Sequence, residues 1–252
     1  MKRRYCALVV SLLANIFLYT SAAAQSSPQP SLSPGDALAR AVENEAKLKS
    51  AEGDFSYHVE IRVRTFGEAG SVTGQLHRVS EMTYDDLGNR TEKILEYPPS
   101  RLSLLIGTLK PDFKSLVGVD PFFLTADQLP LYTIRFVERQ KIDELNTYAF
   151  DVEPIEQKWP AKRKEQGEFP FKGRIWIDDQ DFQIVKMEGR ATTTKKDSQR
   201  FPKFEHYREN VDGRHWLPSF VYAKDVLDMP RFDLPIEIQI KYTGYRHRQA
   251  RR

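Results

Sequence analysis

Strict alternation between residues 55 and 64 constrains this chain more than any other feature. Phe55, Tyr57, Val59, Ile61 and Val63 fall on one side of an extended backbone, and Ser56, His58, Glu60, Arg62 and Arg64 fall on the other. Successive side chains of a strand point to opposite faces, so this period predicts a strand with one face buried and one in water. A sheet with one apolar face must set that face against a second layer. What supplies that layer decides what the molecule can do.

Similar runs recur along the chain: Val72 to Tyr84, Arg90 to Tyr97, Tyr132 to Arg139, Thr147 to Val152, Phe171 to Ile177, Phe182 to Glu188, Phe204 to Val211, His215 to Ala223 and Pro235 to Tyr245. Turn chemistry separates most of them, with Asp212-Gly213 the plainest tight-hairpin signal. About ten strands joined by short turns predict a mainly β fold, an antiparallel meander rather than an α/β sheet.

The second layer looks thin. Ser33-Pro34-Gly35-Asp36 reads as a helix start, with a capping Ser, Pro in the first turn and an early acid. That helix should run to about Lys49 and bury Leu38, Ala41 and Val42. Residues 98–130 are apolar without alternating, and a long structureless loop inside a domain is improbable. Short helices forming a lid are expected there, with Leu105, Leu109, Phe113, Leu116, Phe122 and Phe123 facing inward. Two outcomes stay open. The helices fill the sheet as ordinary core, or they leave space for an apolar ligand, as strongly curled sheets often do. Alternation gives the candidate cavity residues as Phe55, Tyr57, Val59, Ile61, Val63, Ile134, Phe136, Phe150, Ile175, Ile177, Ile184, Ile236, Ile238 and Ile240.

The first 24 residues carry a basic start (Lys2, Arg3, Arg4), an apolar run from Cys6 to Tyr19 and Ala22-Ala23-Ala24, the pattern of a cleaved export signal. The run is short for a membrane span, and Asn15 interrupts it. The expected organisation is a signal peptide over 1–24, a flexible Ser/Pro-rich leader over 25–33, one domain over 34–245 and a basic tail over 246–252. Cleavage removes three of the 38 basic residues and none of the 35 acidic ones, so the exported chain is formally neutral. Nucleic acid is thereby disfavoured as a partner. The single Cys6 leaves with the signal, so no disulfide framework is expected.

Chemistry-bearing motifs are scarce. The five histidines, at 58, 77, 206, 215 and 247, show no metal-ligand spacing, and the sequence holds no nucleophile elbow, P-loop or dinucleotide fingerprint. His58 and His206 are expected on the polar faces of their strands. Asp178-Asp179-Gln180-Asp181 lacks an EF-hand's length and closing Glu, and reads as a turn. No catalytic residue, metal or cofactor is expected from these patterns.

The segment from Phe171 to Lys186, with Gly173-Arg174-Ile175-Trp176-Ile177-Asp178-Asp179-Gln180-Asp181 at its heart, resembles the hairpin of outer-membrane lipoprotein-sorting proteins, the LolA/LolB-like superfamily, in a divergent bacterial branch. Pro98 to Leu102, Pro121 to Thr125, Tyr132 to Asp151 and Phe201 to Leu217 fit alongside it. The resemblance implies a strongly curved antiparallel sheet, an unclosed half-barrel with helices over its concave face. It further implies a periplasmic carrier or chaperone for lipid or lipoprotein acyl chains; no catalysis is expected, and a monomer is favoured although the sequence does not fix the oligomeric state. The superfamily also includes stress sensors that bind a membrane-bound partner, so an envelope interaction protein is the alternative expectation.

Overall fold

A computed structural model of the protein describes residues 32–85, 88–100, 102, 123–160, 170–192, 201–229 and 232–248. The expected signal peptide, most of the leader, and the lid residues Leu105, Leu109, Phe113, Leu116 and Phe122 lie outside them.

Helix α1 (Pro34–Ala51) begins where its chemistry dictates. The Ser33 hydroxyl accepts the Asp36 N–H at 3.2 Å, and Pro34 opens the first turn. Its buried residues, Ala37, Ala41, Val42, Glu45 and Leu48, recur at helical spacing along one face. Leu38 packs half-buried beside them.

Ten strands follow: β1 (Phe55–Phe66), β2 (Val72–Tyr84), β3 (Arg90–Glu96), β4 (Tyr132–Ile142), β5 (Leu145–Pro154), β6 (Phe171–Asp178), β7 (Ile184–Ala191), β8 (Phe204–Asn210), β9 (Trp216–Met229) and β10 (Phe232–His247). They form one antiparallel sheet in the order β3-β2-β1-β10-β9-β8-β7-β6-β5-β4. The chain walks outward from β1 to β3, restarts at the opposite edge with β4, and returns strand by strand until β10 pairs with β1. Strands β3 and β4 are therefore edges, and the sheet is curved but unclosed. Polar side chains cap the hairpins. Asp178 accepts the Gln180 and Asp181 N–H groups at 3.0 and 2.8 Å, which confirms a turn, and burial pushes its carboxyl up.

The hairpin of β6 and β7 explains its glycines. Gly173 sits opposite Gly189, and a Cβ added at Gly173 would lie 2.1 Å from the Glu188 carbonyl. The Phe171 ring covers the space that both side chains leave open.

Three expectations are corrected. His206 is not on a solvated face: β8 turns Phe204, His206 and Arg208 inward, and His206 is buried. Phe136 is 38% exposed, because β4 is an edge strand with a neighbour on one side only. The tail does not fray at 246. Arg246 and His247 pair with Ser56 and Phe55, and the Arg248 N–H donates to the Asp54 carbonyl at 2.8 Å.

Candidate functional site: the inner face of the sheet

The inward side chains fall into two apolar groups. The first lies under α1. Ala37, Ala41 and Val42 of the helix, with Leu124, pack on Tyr132, Tyr148, Phe150, Val152, Phe171, Ile175, Ile177, Ile184 and Met187. Of the expected cavity residues, Phe150, Ile175, Ile177 and Ile184 are here, with Ile134 at the margin. They form the floor of a helix-on-sheet core.

The second group occupies β1, β2, β9 and β10. Val59, Ile61 and Val63 meet Tyr242, Ile240 and Ile238 directly across the β1–β10 pairing, and Ile236 follows opposite Thr65. Leu76, Met82, Ala223, Leu227 and Leu234 extend this panel to both sides. No residue of α1 belongs to it, and Leu102 is the one described member from outside the sheet. Phe55 stands apart, packed with Leu48, Phe123 and Leu217. Phe123, the one expected lid residue that is described, is thus buried beside the end of α1.

Polar groups frame the panel. On the β2–β3 side, Glu92 accepts the Ser80 hydroxyl at 2.7 Å and pairs with Arg78 at 3.3 Å. At one end, Tyr57, Tyr84, Tyr242 and Tyr245 gather, with the Tyr57 and Tyr245 rings 5.1 Å apart. Burial pushes the Tyr84 and Tyr245 hydroxyls well up, so both stay neutral.

Strand β8 divides the two groups. Arg208 and Glu45 are fully buried and joined by two charge-assisted hydrogen bonds of 2.5 and 3.1 Å, which fasten α1 to the sheet. The Arg208 guanidinium lies 5.5 Å from the centre of the Phe123 ring. One turn of the pleat away, His206 presents a buried Nε2 with no hydrogen-bond partner. Burial, with the Arg208 charge beside it, pushes this imidazole down to about 3. Sequence reasoning missed this stripe. Phe204, His206 and Arg208 do alternate onto one face, but polar side chains at two of those three positions read as a solvated face.

A cavity of about 530 Å³ opens on the opposite, outer face. Its floor is two cross-strand rows, His77–Arg62–Gln239 and Gln75–Arg64–Glu237, with Pro98 to Ser100 as a rim. Internal ion pairs hold it: Arg64 with Glu237, and both Arg62 and His77 with Glu60. Polar and charged residues make up most of its lining, beside Leu76, Pro98 and Pro99, and Val63 alone of the expected cavity residues lines it.

Fold and face together define an open antiparallel half-barrel in which α1 packs on one half of the inner surface. The chain is similar to a LolA superfamily protein from Nitrosomonas europaea, at 12% identity over 87% of this chain and 96% of that one, with a TM-score of 0.39. It is similar to a DUF1329 family protein from Desulfovibrio piger, at 12% identity, 86% and 95% coverage and a TM-score of 0.43. A domain described as an outer membrane lipoprotein-sorting protein, from Vibrio parahaemolyticus, is similar at 9% identity, 85% and 95% coverage and a TM-score of 0.37. No protein-family model and no curated protein matches the chain. Function is therefore argued from the chain's own residues.

Proposed function

We propose that the protein is a periplasmic carrier or chaperone that holds an apolar ligand, a lipid or the acyl chains of a lipoprotein, against the panel on β1, β2, β9 and β10. The aliphatic panel itself carries this reading. Val59, Ile61, Val63, Ile236, Ile238 and Ile240 adjoin across two central strands, and α1 covers the other half of the sheet. These side chains are buried in the ligand-free chain, from Val63 at 0% to Val59 at 3% exposed, so a ligand replaces part of what covers them, and each acyl methylene it withdraws from water is worth about 0.8 kcal/mol. The Arg78–Glu92–Ser80 group and the neutral tyrosines border the panel where a polar head would emerge. Export by cleavage after Ala24 places the protein where such ligands cross between membranes.

The test is native mass spectrometry with lipid extraction on protein purified from its own envelope. A stoichiometric lipid or acylated peptide, lost in Val59→Asp and Ile238→Asp variants that keep their circular dichroism, is the expected result. N-terminal sequencing of the same sample should begin at Gln25. Ligand-free protein that takes up no added lipid sinks the carrier reading.

A second reading has one observation of its own. All seven residues of the edge strand β3 are exposed, including Ile94 and Leu95, and Tyr97 follows them. An unpaired edge with apolar side chains is a template for a partner strand. An envelope protein that docks a membrane-protein partner without catalysis would use it, and ligand-free protein that crosslinks through β3 would favour that role.

A further inference from the structure

At one end of the sheet, two side chains of one turn converge with a third from the end of β10. Asp212 and His215 belong to the turn between β8 and β9, and His247 is the last residue of β10. The Asp212 Oδ2 lies 2.8 Å from His215 Nδ1 and 3.1 Å from His247 Nε2. All three donor atoms lie within 4.8 Å of one another.

We propose that Asp212, His215 and His247 form a binding site for a divalent transition-metal ion of the zinc class. Two imidazole nitrogens and one carboxylate oxygen are a donor set that suits zinc, whereas calcium and magnesium want oxygen alone. Zinc–ligand bonds of about 2.0–2.1 Å place the donors of a tetrahedral site about 3.4 Å apart. The two carboxylate–imidazole separations are hydrogen-bond lengths below that figure and all three donors lie within 4.8 Å, so small shifts of the two rings admit the ion.

The surroundings hold the donors ready. The other carboxylate oxygen of Asp212 accepts the N–H groups of Arg214 and His215 at 3.0 and 2.9 Å, which leaves Oδ2 directed at the imidazoles. Gly213, at φ 81°, makes the turn that allows this, and its N–H donates to the Asn210 side chain at 2.6 Å. Phe55 packs on both rings, with centroids 5.3 Å from His215 and 4.3 Å from His247. Such outer contacts fix ring orientation at metal sites. The three side chains remain partly exposed, so water completes the coordination. A bound ion would staple the β8–β9 turn to the end of β10, independently of what the inner face carries.

The experiment uses the untagged protein, stripped of metal and dialysed against low micromolar zinc, with metal content read by mass spectrometry and affinity by calorimetry. One zinc per chain and a raised melting temperature are expected. Asp212→Asn, His215→Gln and His247→Gln should each weaken binding at least about tenfold, while His58→Gln leaves it unchanged. Asp212→Asn keeps an acceptor for the turn and guards against loss of fold. No retained zinc, or equal uptake by the triple variant, overturns the proposal.

Discussion

The two halves of the inner face are built from the same aliphatic alphabet and closed in different ways. Under α1, Ile175, Ile177, Ile184 and Met187 meet helix side chains, and the closure is reinforced by the buried Arg208–Glu45 pair. Across β1 and β10, an equally aliphatic surface gathers residues of four strands and the helical Leu102, with no residue of α1 among them. Apolar character therefore does not tell the two halves apart. What differs is α1, which packs on one of them, and a polar stripe on β8 marks the limit of its reach.

The largest test of this contrast lies at the stripe. Arg208→Met leaves Glu45 as an uncompensated buried charge and should cost about 3–5 kcal/mol in urea denaturation. Adding Glu45→Leu should restore most of that loss, because two apolar groups replace a pair that was costly to desolvate. A single variant that loses under 1 kcal/mol would mean that α1 is held by its apolar face alone.

Next in size is a matched pair of truncations. Ile175→Ala under the helix should fall at the upper end of the range of about 2–5 kcal/mol for such changes. Ile238→Ala on the panel should fall at the lower end in ligand-free protein and rise when lipid is bound. Equal costs in both halves would show that the panel is packed core and would break the comparison.

His206 sharpens it through pH. The unfolded chain takes up a proton on this residue near pH 6.5, whereas the folded one resists until about 3. A histidine with a lowered folded pKa leaves stability intact above pH 6.5 and removes it as acid is added, by up to about 1.4 kcal/mol per unit. Between pH 6.5 and 5, the protein should lose roughly 1.5 kcal/mol more than a His206→Leu variant. Parallel pH curves would mean that water reaches the imidazole.

Much of this architecture was legible in the chain because alternation is a local property. The strand Val72–Tyr84 has the bounds its alternation gives, and the Ser33 cap and the Asp212-Gly213 turn stand where the sequence puts them. What escaped was long-range. Arg208 is an ordinary surface arginine until α1 delivers Glu45, 163 residues earlier, to its guanidinium. His247 reads as tail until β10 pairs with β1 and brings it to Asp212. Phe136 carries the right period, but being on an edge is a fact of strand order, which no single strand records.

The smallest expected effect bears most directly on whether the halves are separate. Asn44 of α1 donates to the Asp181 and Phe182 carbonyls at 3.0 and 3.1 Å, tying the helix to the β6–β7 turn. Phe182 has a φ of 52°, so that turn holds a conformation unfavourable to a bulky side chain and benefits from an outside partner. Asn44→Ala removes both bonds at a partly solvated site and should cost about 1 kcal/mol. Its consequence should be local: faster amide hydrogen exchange in α1 and the β6–β7 turn, and unchanged protection in β1 and β10. Equal acceleration in β1 and β10 would mean that the helix-covered half and the panel open as one unit, leaving the panel unable to admit a ligand without loosening the core beside it.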